Sequence, residues 1–348
     1  MNDIPACATP VAHLVGPGKL GFRNRRLLYT AIDGTRLALN ADRLQVVTFY
    51  GSVGLSSQAA AALVDHHVSL VWLSDRGVRL RGRFVSVDDS TILQRLRQYQ
   101  LLLQPALRVT LAKKLIADRI ESIGNAVRHY QRHGKPECGR LLASLAVLKK
   151  RLAGANRFAE IRGLEGAATA GWFNLFPGLL ADPWSFPGRR RRPPTDPVNA
   201  LLSLSAMLTT RRVTARIEAE GLEPTLGIFH QFRPGRPALA CDLIEPLRAP
   251  LVERLTLRAC NQHWVQPDDF EMLPGGGVHL KEKAFARFLA RWEECYNEVS
   301  GPQRLGRLMA WLRRELSQIR LPTPVEGAKT PVSWADTEQQ VSQEVPSI

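Results

Sequence analysis

The hydrophobic pattern of the chain changes near residue 88, and this change limits the folds that the chain can adopt. Before that point apolar residues come in short alternating runs, as in KLGFRNRRLLYTAIDGTRLALNADRLQVVTFYG at 19–51. Alternation with a period of two predicts β-strands, and Asp33-Gly34 predicts a tight turn between two of them. A short helix, SQAAAALVDHH, interrupts the strands. We therefore predict a small β-rich domain at 1–88.

From residue 89 the apolar residues recur at the spacing of amphipathic helices. The pattern is clearest in Leu111, Leu115, Ile116, Ile120 and Ile123. It continues to about residue 318 and is broken by turns at 133–134, 176–178 and 274–277. Strands followed by helices, without alternation of the two, predict an α+β fold in which a larger all-helical domain spans 89–320.

The last segment, 321–348, differs in composition from the rest. Proline, serine, glutamine and glutamate are frequent, and acidic residues outnumber the single lysine, Lys329. Because so little apolar surface is available for burial, we predict a disordered tail.

Arginine dominates the charge of the chain. The formal net charge is +15, the isoelectric point is near 10.2, and only nine of the 47 basic residues are lysines. Guanidinium groups match phosphate oxygens with paired hydrogen bonds, so this excess favours a nucleic acid as partner. A genome rich in arginine codons would produce the same composition, and charge alone leaves both explanations open.

Other features of the composition narrow the class of protein. The chain has no run of about 18 apolar residues and no basic segment leading into an apolar one at its start. We therefore expect a cytoplasmic protein without a membrane span. The five cysteines lie far apart and form no CxxC pair, which predicts reduced, mostly buried thiols.

One stretch of the helical region, GIFHQFRPGRPALACDLIEPLR at 227–248, contains several possible ligands. His230 precedes a Pro-Gly turn at 234–235, which would fold the chain back towards Asp242 and Glu245. Asp-x-x-Glu is also the spacing of a capping box, in which Asp242 would cap a helix and Glu245 would bond to the cap amide. Taken alone, the spacing favours the capping box over a functional site.

Glu165 lies between Gly163 and Gly166 in a second stretch, IRGLEGAATAGWFNLF. An interior glycine costs a helix about 1 kcal/mol relative to alanine, so two glycines around one acid predict a close backbone approach there. The alternative is a solvated glutamate on a helix surface.

A block of four arginines precedes a predicted helix: Arg189, Arg190, Arg191 and Arg192. Asp196 is the predicted N-cap of that helix and Pro197 its first residue, so the arginines lie on the loop before it. Such a block is common on solvated loops, but it would also suit contacts with phosphates. Asn199, one turn into the helix, would bond locally.

Four motifs in this order resemble those of one family, the CRISPR-associated integrases of spacer acquisition: GLEG at 163–166, RRPPTDPVNALLS at 191–203, GIFH at 227–230 and DLIEPLR at 242–248. The resemblance extends from about residue 15 to 300 and includes TFYGSVGLSS and LSDRGVRLRGRF in the β-rich region. Two departures occur. Trp172 stands where many members have tyrosine, and Ala206-Met207 replaces another frequent tyrosine, so no tyrosine role in DNA handling is carried over.

The resemblance implies a metal-dependent DNA endonuclease and integrase. Its divalent ion would be held by Glu165, His230 and Glu245, with Asp242 adjacent and able to ligate or to orient. Carboxylate ligands with one imidazole suit Mg²⁺ or Mn²⁺. Such a cation can stabilise the entering and the leaving oxygen when a 3′-hydroxyl attacks a phosphodiester.

The resemblance also implies how such a protein acts. It would insert captured foreign DNA fragments into a CRISPR repeat array, as a homodimer built through the β-rich domain and bridged by a small ferredoxin-like partner. Double-stranded DNA would be its substrate, with Arg233 and Arg248 placed beside the site to hold phosphates. Two other functions stay open: a catalytically idle nucleic-acid-binding scaffold, and a structure-specific repair nuclease.

Overall fold

The computed structural model of the chain describes residues 11–75, 80–84, 92–132, 134, 138–190, 193–274 and 276–321. Its N-terminal region is rich in strands, as predicted: β1 Val11–Val15, β2 Gly18–Arg23, β3 Arg26–Ala31, β4 Arg36–Leu39, β5 Val46–Tyr50, β6 Val53–Leu55, β7 Ser69–Leu73 and β8 Leu80–Phe84. Helix α1, Ser57–Asp65, lies where a short helix was predicted. The predicted domain boundary falls within 85–91, outside the described residues, and so does the predicted tail at 321–348 except for its first residue, Leu321.

The strands form two four-stranded sheets, in the orders β4-β3-β2-β6 and β1-β5-β7-β8. β1, β5 and β7 are parallel, whereas β2, β3 and β4 form an antiparallel meander. The turn between β2 and β3 has positive φ at Asn24 and Arg25, as tight hairpin turns require. Gly34 has a φ of 85°, which confirms the predicted turn after β3.

The two sheets enclose a core with α1. Leu14, Leu20 and Phe49 from the strands and Leu63 from α1 are buried in one apolar cluster. The alternation in the sequence places such residues on the inner face of each strand, which is why the strand pattern was readable.

Helices make up most of the remaining chain: α2 Ile92–Leu102, α3 Pro105–Arg132, α4 Cys138–Gly154, α5 Phe158–Leu175, α6 Pro197–Ala219, α7 Ala238–Leu243, α8 Glu245–Arg248, α9 Arg254–Asn261, α10 Glu282–Glu298 and α11 Gly301–Ser317. The apolar residues that predicted α3 form its buried face. The α+β class, with β-strands first and helices after them, is confirmed.

A short hairpin interrupts the helical region, and the prediction of helices alone was wrong at this point. β9, Phe270–Met272, pairs with β10, Val278–Leu280, on either side of the predicted turn at 274–277. With only three residues in each strand, a periodicity of two could not be recognised in the sequence.

The β-rich region packs directly on the helices. Tyr50 and Leu73 of its second sheet belong to the same apolar cluster as the core of the helical region. Within the residues that the structure describes, no helix combines the length and the apolar character that a membrane span needs.

Candidate active site

The carboxylate of Asp242 organises the loop that carries His230. Its two oxygens accept hydrogen bonds from the backbone N–H groups of Ile228 (2.6 Å), Phe229 (3.0 Å) and His230 (2.9 Å), and from Nδ1 of His230 (2.6 Å). The turn at 234–235, where Gly235 has a φ of 72°, returns the chain as predicted. Asp242 is therefore saturated with donors and orients the histidine.

The capping-box interpretation of this stretch was wrong. Asp242 lies inside α7, and Glu245 is the first residue of α8. The Asp242 carboxylate bonds to the chain at 228–230 and not to the start of its own helix. Pro246, which follows Glu245, is well placed in the first turn of α8, where its missing N–H is not needed.

The hydrogen bond to Asp242 sets the tautomer of His230. A carboxylate accepts only, so Nδ1 carries the proton, and Nε2 on the opposite side of the ring keeps its lone pair. Metal-binding histidines commonly have such a carboxylate behind them. His230 is about one-quarter exposed, so a solvent-side ligand can reach it.

Glu245 is buried between two arginines. Its Oε1 accepts a hydrogen bond from Nη1 of Arg248 at 3.2 Å, and its Oε2 lies 3.7 Å from Nε of Arg119. Oε2 accepts no hydrogen bond although it is buried. Burial raises the pKa of Glu245, but the charges of Arg248 and Arg119 and the hydrogen bond from Arg248 outweigh it, so the pKa is lowered and the carboxylate stays ionised.

Two further charged residues of the site were missed in the sequence. Arg119 on α3 and Glu253 are both fully buried and form two parallel hydrogen bonds of 2.8 Å. Glu253 also lies 3.4 Å from Nε of Arg248. The sequence feature that could have revealed Glu253 is its position in the largely apolar stretch APLVERL, because a buried charged side chain is usually paired.

A π-helical turn at Ala249–Glu253 places Glu253 beside Glu245. In an ideal α-helix two residues eight apart differ by about 80° around the axis. A π-turn adds one residue, which reduces that difference to about 20° and puts both carboxylates on one face. The irregular turn is thus part of the geometry of the site.

Glu165 lies on α5, half-buried, and its Oε1 accepts a hydrogen bond from the hydroxyl of Thr169 at 2.8 Å. Its charge also acts on Arg248: burial lowers the pKa of that guanidinium, and Glu245, Glu253 and Glu165 together raise it. The interpretation of Glu165 as a solvated surface residue is therefore wrong. The close backbone approach expected at Gly163 and Gly166 is absent, since a side-chain carbon at either glycine would meet open space.

The predicted phosphate-binding arginines differ in their surroundings. Arg189 donates to Asn199 and Ser203, so it holds the loop before α6, while Arg190 and Arg233 are exposed. Arg191 and Arg192 lie outside the described residues. Arg248 is not a surface arginine, because its side chain is only 11% exposed and ion-paired.

Local bonding before α6 follows the sequence closely. Asp196 caps the helix by accepting from the backbone N–H of Asn199 at 2.8 Å, and Pro197 is the first helical residue, as predicted. The Asn199 side chain bonds to Gly188 and to the Arg190 amide, which confirms its local role. Trp172, the residue at the expected tyrosine position, is fully buried in the core.

Two of the three predicted metal ligands, Glu245 and Glu165, act on Arg248, but the three do not form a ready-made site. Across the described ranges, no group of three histidine, cysteine, aspartate or glutamate side chains is arranged to hold an ion. The chemistry of the donors nevertheless fits a divalent cation. Glu245 Oε2 lacks a hydrogen bond, Glu165 and Glu245 are anionic oxygen donors, and His230 keeps the lone pair of Nε2.

Comparison with known proteins identifies the family. A family model described as CRISPR associated protein Cas1 matches residues 13–294. The chain belongs to the Cas1 family. Its match to a CRISPR-associated endonuclease Cas1 of Rhodospirillum rubrum is 34% identical and covers 75% of this chain and 81% of the relative.

A second relative from the same organism is longer. This CRISPR-associated exonuclease Cas4/endonuclease Cas1 fusion is 31% identical over 91% of the present Cas1-family chain, which spans 56% of the length of the fusion.

Solved structures share the fold. A CAS1 protein from Thermotoga maritima has a TM-score of 0.78 at 20% identity, covering 91% of this chain and all of that one. A casposase bound to its integration product has a TM-score of 0.75 at 17% identity over 97% and 99% of the two chains. A Cas6-RT-Cas1–Cas2 complex has a TM-score of 0.70 at 22% identity, covering 93% of this chain and 37% of that one. At these identities the likeness concerns the fold alone.

Proposed function

We propose that this Cas1-family protein is a metal-dependent DNA endonuclease and integrase that inserts captured foreign DNA fragments into a CRISPR repeat array. The observation that carries the proposal is the site itself. A histidine oriented by Asp242 lies on the loop bonded to α7, the helix directly before Glu245, and Glu165 acts on Arg248, which pairs with Glu245. The names of the relatives, which are endonucleases of this family, support the same activity.

Glu165, Glu245 and Nε2 of His230 would hold one Mg²⁺ or Mn²⁺ ion. Such an ion would supply the charge that stabilises the oxygens of a phosphodiester under attack by a 3′-hydroxyl. Asp242 keeps the imidazole in the tautomer that presents Nε2, and Thr169 fixes the rotamer of Glu165. Arg119, which is fixed by its ion pair with Glu253, lies beside the carboxylate of Glu245 and stabilises its charge.

The proposed partners follow from the activity. Double-stranded DNA serves as fragment and as target, with Arg189, Arg190 and Arg233, and with Arg191 and Arg192 from outside the described residues, as phosphate contacts. The protein would act as a homodimer through the β-rich region, together with a small ferredoxin-like protein. A chain of similar fold occurs in a solved Cas6-RT-Cas1–Cas2 complex, which supports the proposal of a protein partner.

A test of the function is Glu165→Gln, which keeps the size of the side chain and removes one anionic ligand. Joining of a DNA end with a 3′-hydroxyl to a repeat-containing duplex, assayed in Mn²⁺ or Mg²⁺, should fall by a few orders of magnitude. Binding of the same DNA should persist or tighten, since a negative charge near the phosphates is lost.

Glu298→Gln is the matched control, because it removes one exposed negative charge at the end of α10, where Glu298 pairs with Arg258 of α9. It should join DNA like the wild type. Full joining activity of Glu165→Gln would refute the catalytic role. Loss of DNA binding by a Glu165→Gln protein that melts like the wild type would make Glu165 a DNA-binding residue instead.

A further inference from the structure

Arg248 occupies the middle of the acidic cluster. Its guanidinium faces Glu245 at 3.2 Å and Glu253 at 3.4 Å, and the charge of Glu165 acts on it as well. The space beside the proposed ligand Glu245 is therefore held by a cation that belongs to the protein. This placement is the reason that the carboxylates are not free to converge on an ion.

The charges of the cluster show what would change on metal binding. Three glutamates, Glu245, Glu253 and Glu165, act on two arginines, Arg119 and Arg248. A divalent cation bound at Glu245 would compete with Arg248 for the same carboxylate, and the two positive charges would repel each other at short range. Withdrawal of one guanidinium removes that repulsion, which is large in a site of low dielectric.

The two arginines differ in how firmly they are held. Arg119 is fully buried and forms two hydrogen bonds of 2.8 Å with Glu253. Arg248 makes one longer hydrogen bond, its Nε donates to no acceptor, and its side chain reaches the surface with 11% of its area exposed. Arg248 is the guanidinium that can leave.

We propose that Arg248 is an exchangeable counter-cation. It holds Glu245 and Glu253 while no divalent ion is bound, and it turns outward to a DNA phosphate when Glu245 takes up the ion. Arginine suits both states, because its planar group pairs with carboxylates and with phosphates alike. The inference rests on the proposed metal site and adds a coupling to it. When a DNA phosphate pairs with Arg248, metal binding becomes tighter, and metal binding in turn makes DNA binding tighter.

The test measures Mn²⁺ affinity of the full chain from the electron paramagnetic resonance signal of free Mn²⁺. It is run without DNA and with a duplex that carries 3′-hydroxyl ends, after subtraction of a DNA-only blank. Arg248→Gln should bind Mn²⁺ about tenfold more tightly than the wild type in the absence of DNA. DNA should tighten Mn²⁺ binding by the wild type and leave that of Arg248→Gln unchanged.

Arg128→Gln is the control, since it removes a guanidinium paired with an exposed glutamate, Glu121, outside the site. Its Mn²⁺ affinity should equal that of the wild type. Mn²⁺ binding by folded Arg248→Gln that is equal to or weaker than that of the wild type would overturn the inference. So would a DNA duplex that tightens Mn²⁺ binding by Arg248→Gln as much as it does by the wild type. If Arg248→Gln does not unfold cooperatively, Arg248→Lys replaces it in the test. The lysine ammonium cannot pair with Glu245 and Glu253 at the same time, so Arg248→Lys should bind Mn²⁺ at least about threefold more tightly than the wild type.

The outcomes separate this inference from the proposed function. If the wild type binds no Mn²⁺, both the proposed metal site and the proposed role of Arg248 are refuted. A wild type whose Mn²⁺ binding is lost in Glu165→Gln but is not tightened in Arg248→Gln keeps the proposed function and overturns only the role of Arg248.

Discussion

Gly227 shows how closely the site is built at the scale of one residue. A side-chain carbon there would lie 2.7 Å from the carbonyl oxygen of His230, 2.8 Å from Oδ2 of Asp242 and 3.0 Å from Cβ of Ala238. Two of these contacts are with backbone or with a buried carboxylate, which cannot move without breaking the hydrogen bonds that orient His230. Glycine is required here for close approach, and not for a left-handed backbone.

We expect Gly227→Ala to destabilise the protein by about 1–3 kcal/mol, as overpacking of a filled site does. DNA joining should fall as well, because the loop at 228–230 is displaced from Asp242. Gly163→Ala is the matched control: its side chain enters open space on α5, and alanine should raise stability by up to about 1 kcal/mol. Urea unfolding of the two variants measures both effects, and a neutral Gly227→Ala would contradict the packing argument.

At the scale of secondary-structure elements, the segment from α8 to α9 is the irregular part that builds the charged centre. α8 has only four residues, and the π-helical turn follows it directly. Pro250 lies in that turn and has no N–H to donate, which disfavours a regular α-helix at this point. The turn orients the buried side chains of Glu245 and Glu253 towards α3, which carries Arg119.

Glu253→Gln tests that element, since it leaves the buried guanidinium of Arg119 without its anion. Loss of one partner from a buried ion pair costs about 3–5 kcal/mol, and urea unfolding at neutral pH should show a loss of that size. Glu121→Gln removes an exposed glutamate from α3 and should cost under about 0.5 kcal/mol. Similar stability of the two variants would mean that Glu253 contributes little to the fold.

At the scale of the whole molecule, a polar cluster joins the β-rich region to the helices. Nε2 of His13 on β1 lies 2.6 Å from Glu293 on α10, and Nδ1 lies 3.0 Å from the hydroxyl of Tyr50 on β5. Arg212 on α6 donates to the same glutamate and packs over the ring of Tyr296. Three elements that are distant in sequence are thus tied together at one carboxylate.

The pH dependence of this cluster is predictable from Glu293. Burial raises its pKa, but the hydrogen bond from His13 and the charge of Arg212 outweigh burial, so its folded pKa lies below the ordinary 4.5. A lowered folded pKa means that the ion pair stabilises fully above pH 4.5, and that this contribution is lost as the pH falls through the folded pKa.

We therefore expect Glu293→Gln to be less stable than the wild type by about 3 kcal/mol at pH 7. The difference should shrink below pH 4.5, where Glu293 of the wild type becomes protonated too. Glu294→Gln, next along α10 and exposed in a pair with Arg291, is the control and should follow the wild type at every pH. A constant difference across the pH range would show that Glu293 acts through packing alone.

The amino-acid sequence by itself determined the features that depend on neighbours a few residues apart. The change from strands to helices, the turn at Gly34 and the start of α6 at Asp196 and Pro197 follow from local periodicity, backbone freedom and capping. The family motifs also pointed to Glu165, His230, Asp242 and Glu245, and the resemblance to the family was correct.

Only the tertiary structure decided which partners these residues have. Asp242 could cap its own helix or hold His230, and the contact across the returning loop chose the second. Arg119 and Glu253 are 134 residues apart, so no local pattern could pair them. Arg248 has the same sequence neighbours whether it is exposed or buried, and packing of α3 against α8 places it among carboxylates. Pairing across such distances depends on which surfaces are buried together, and that is a property of the folded chain.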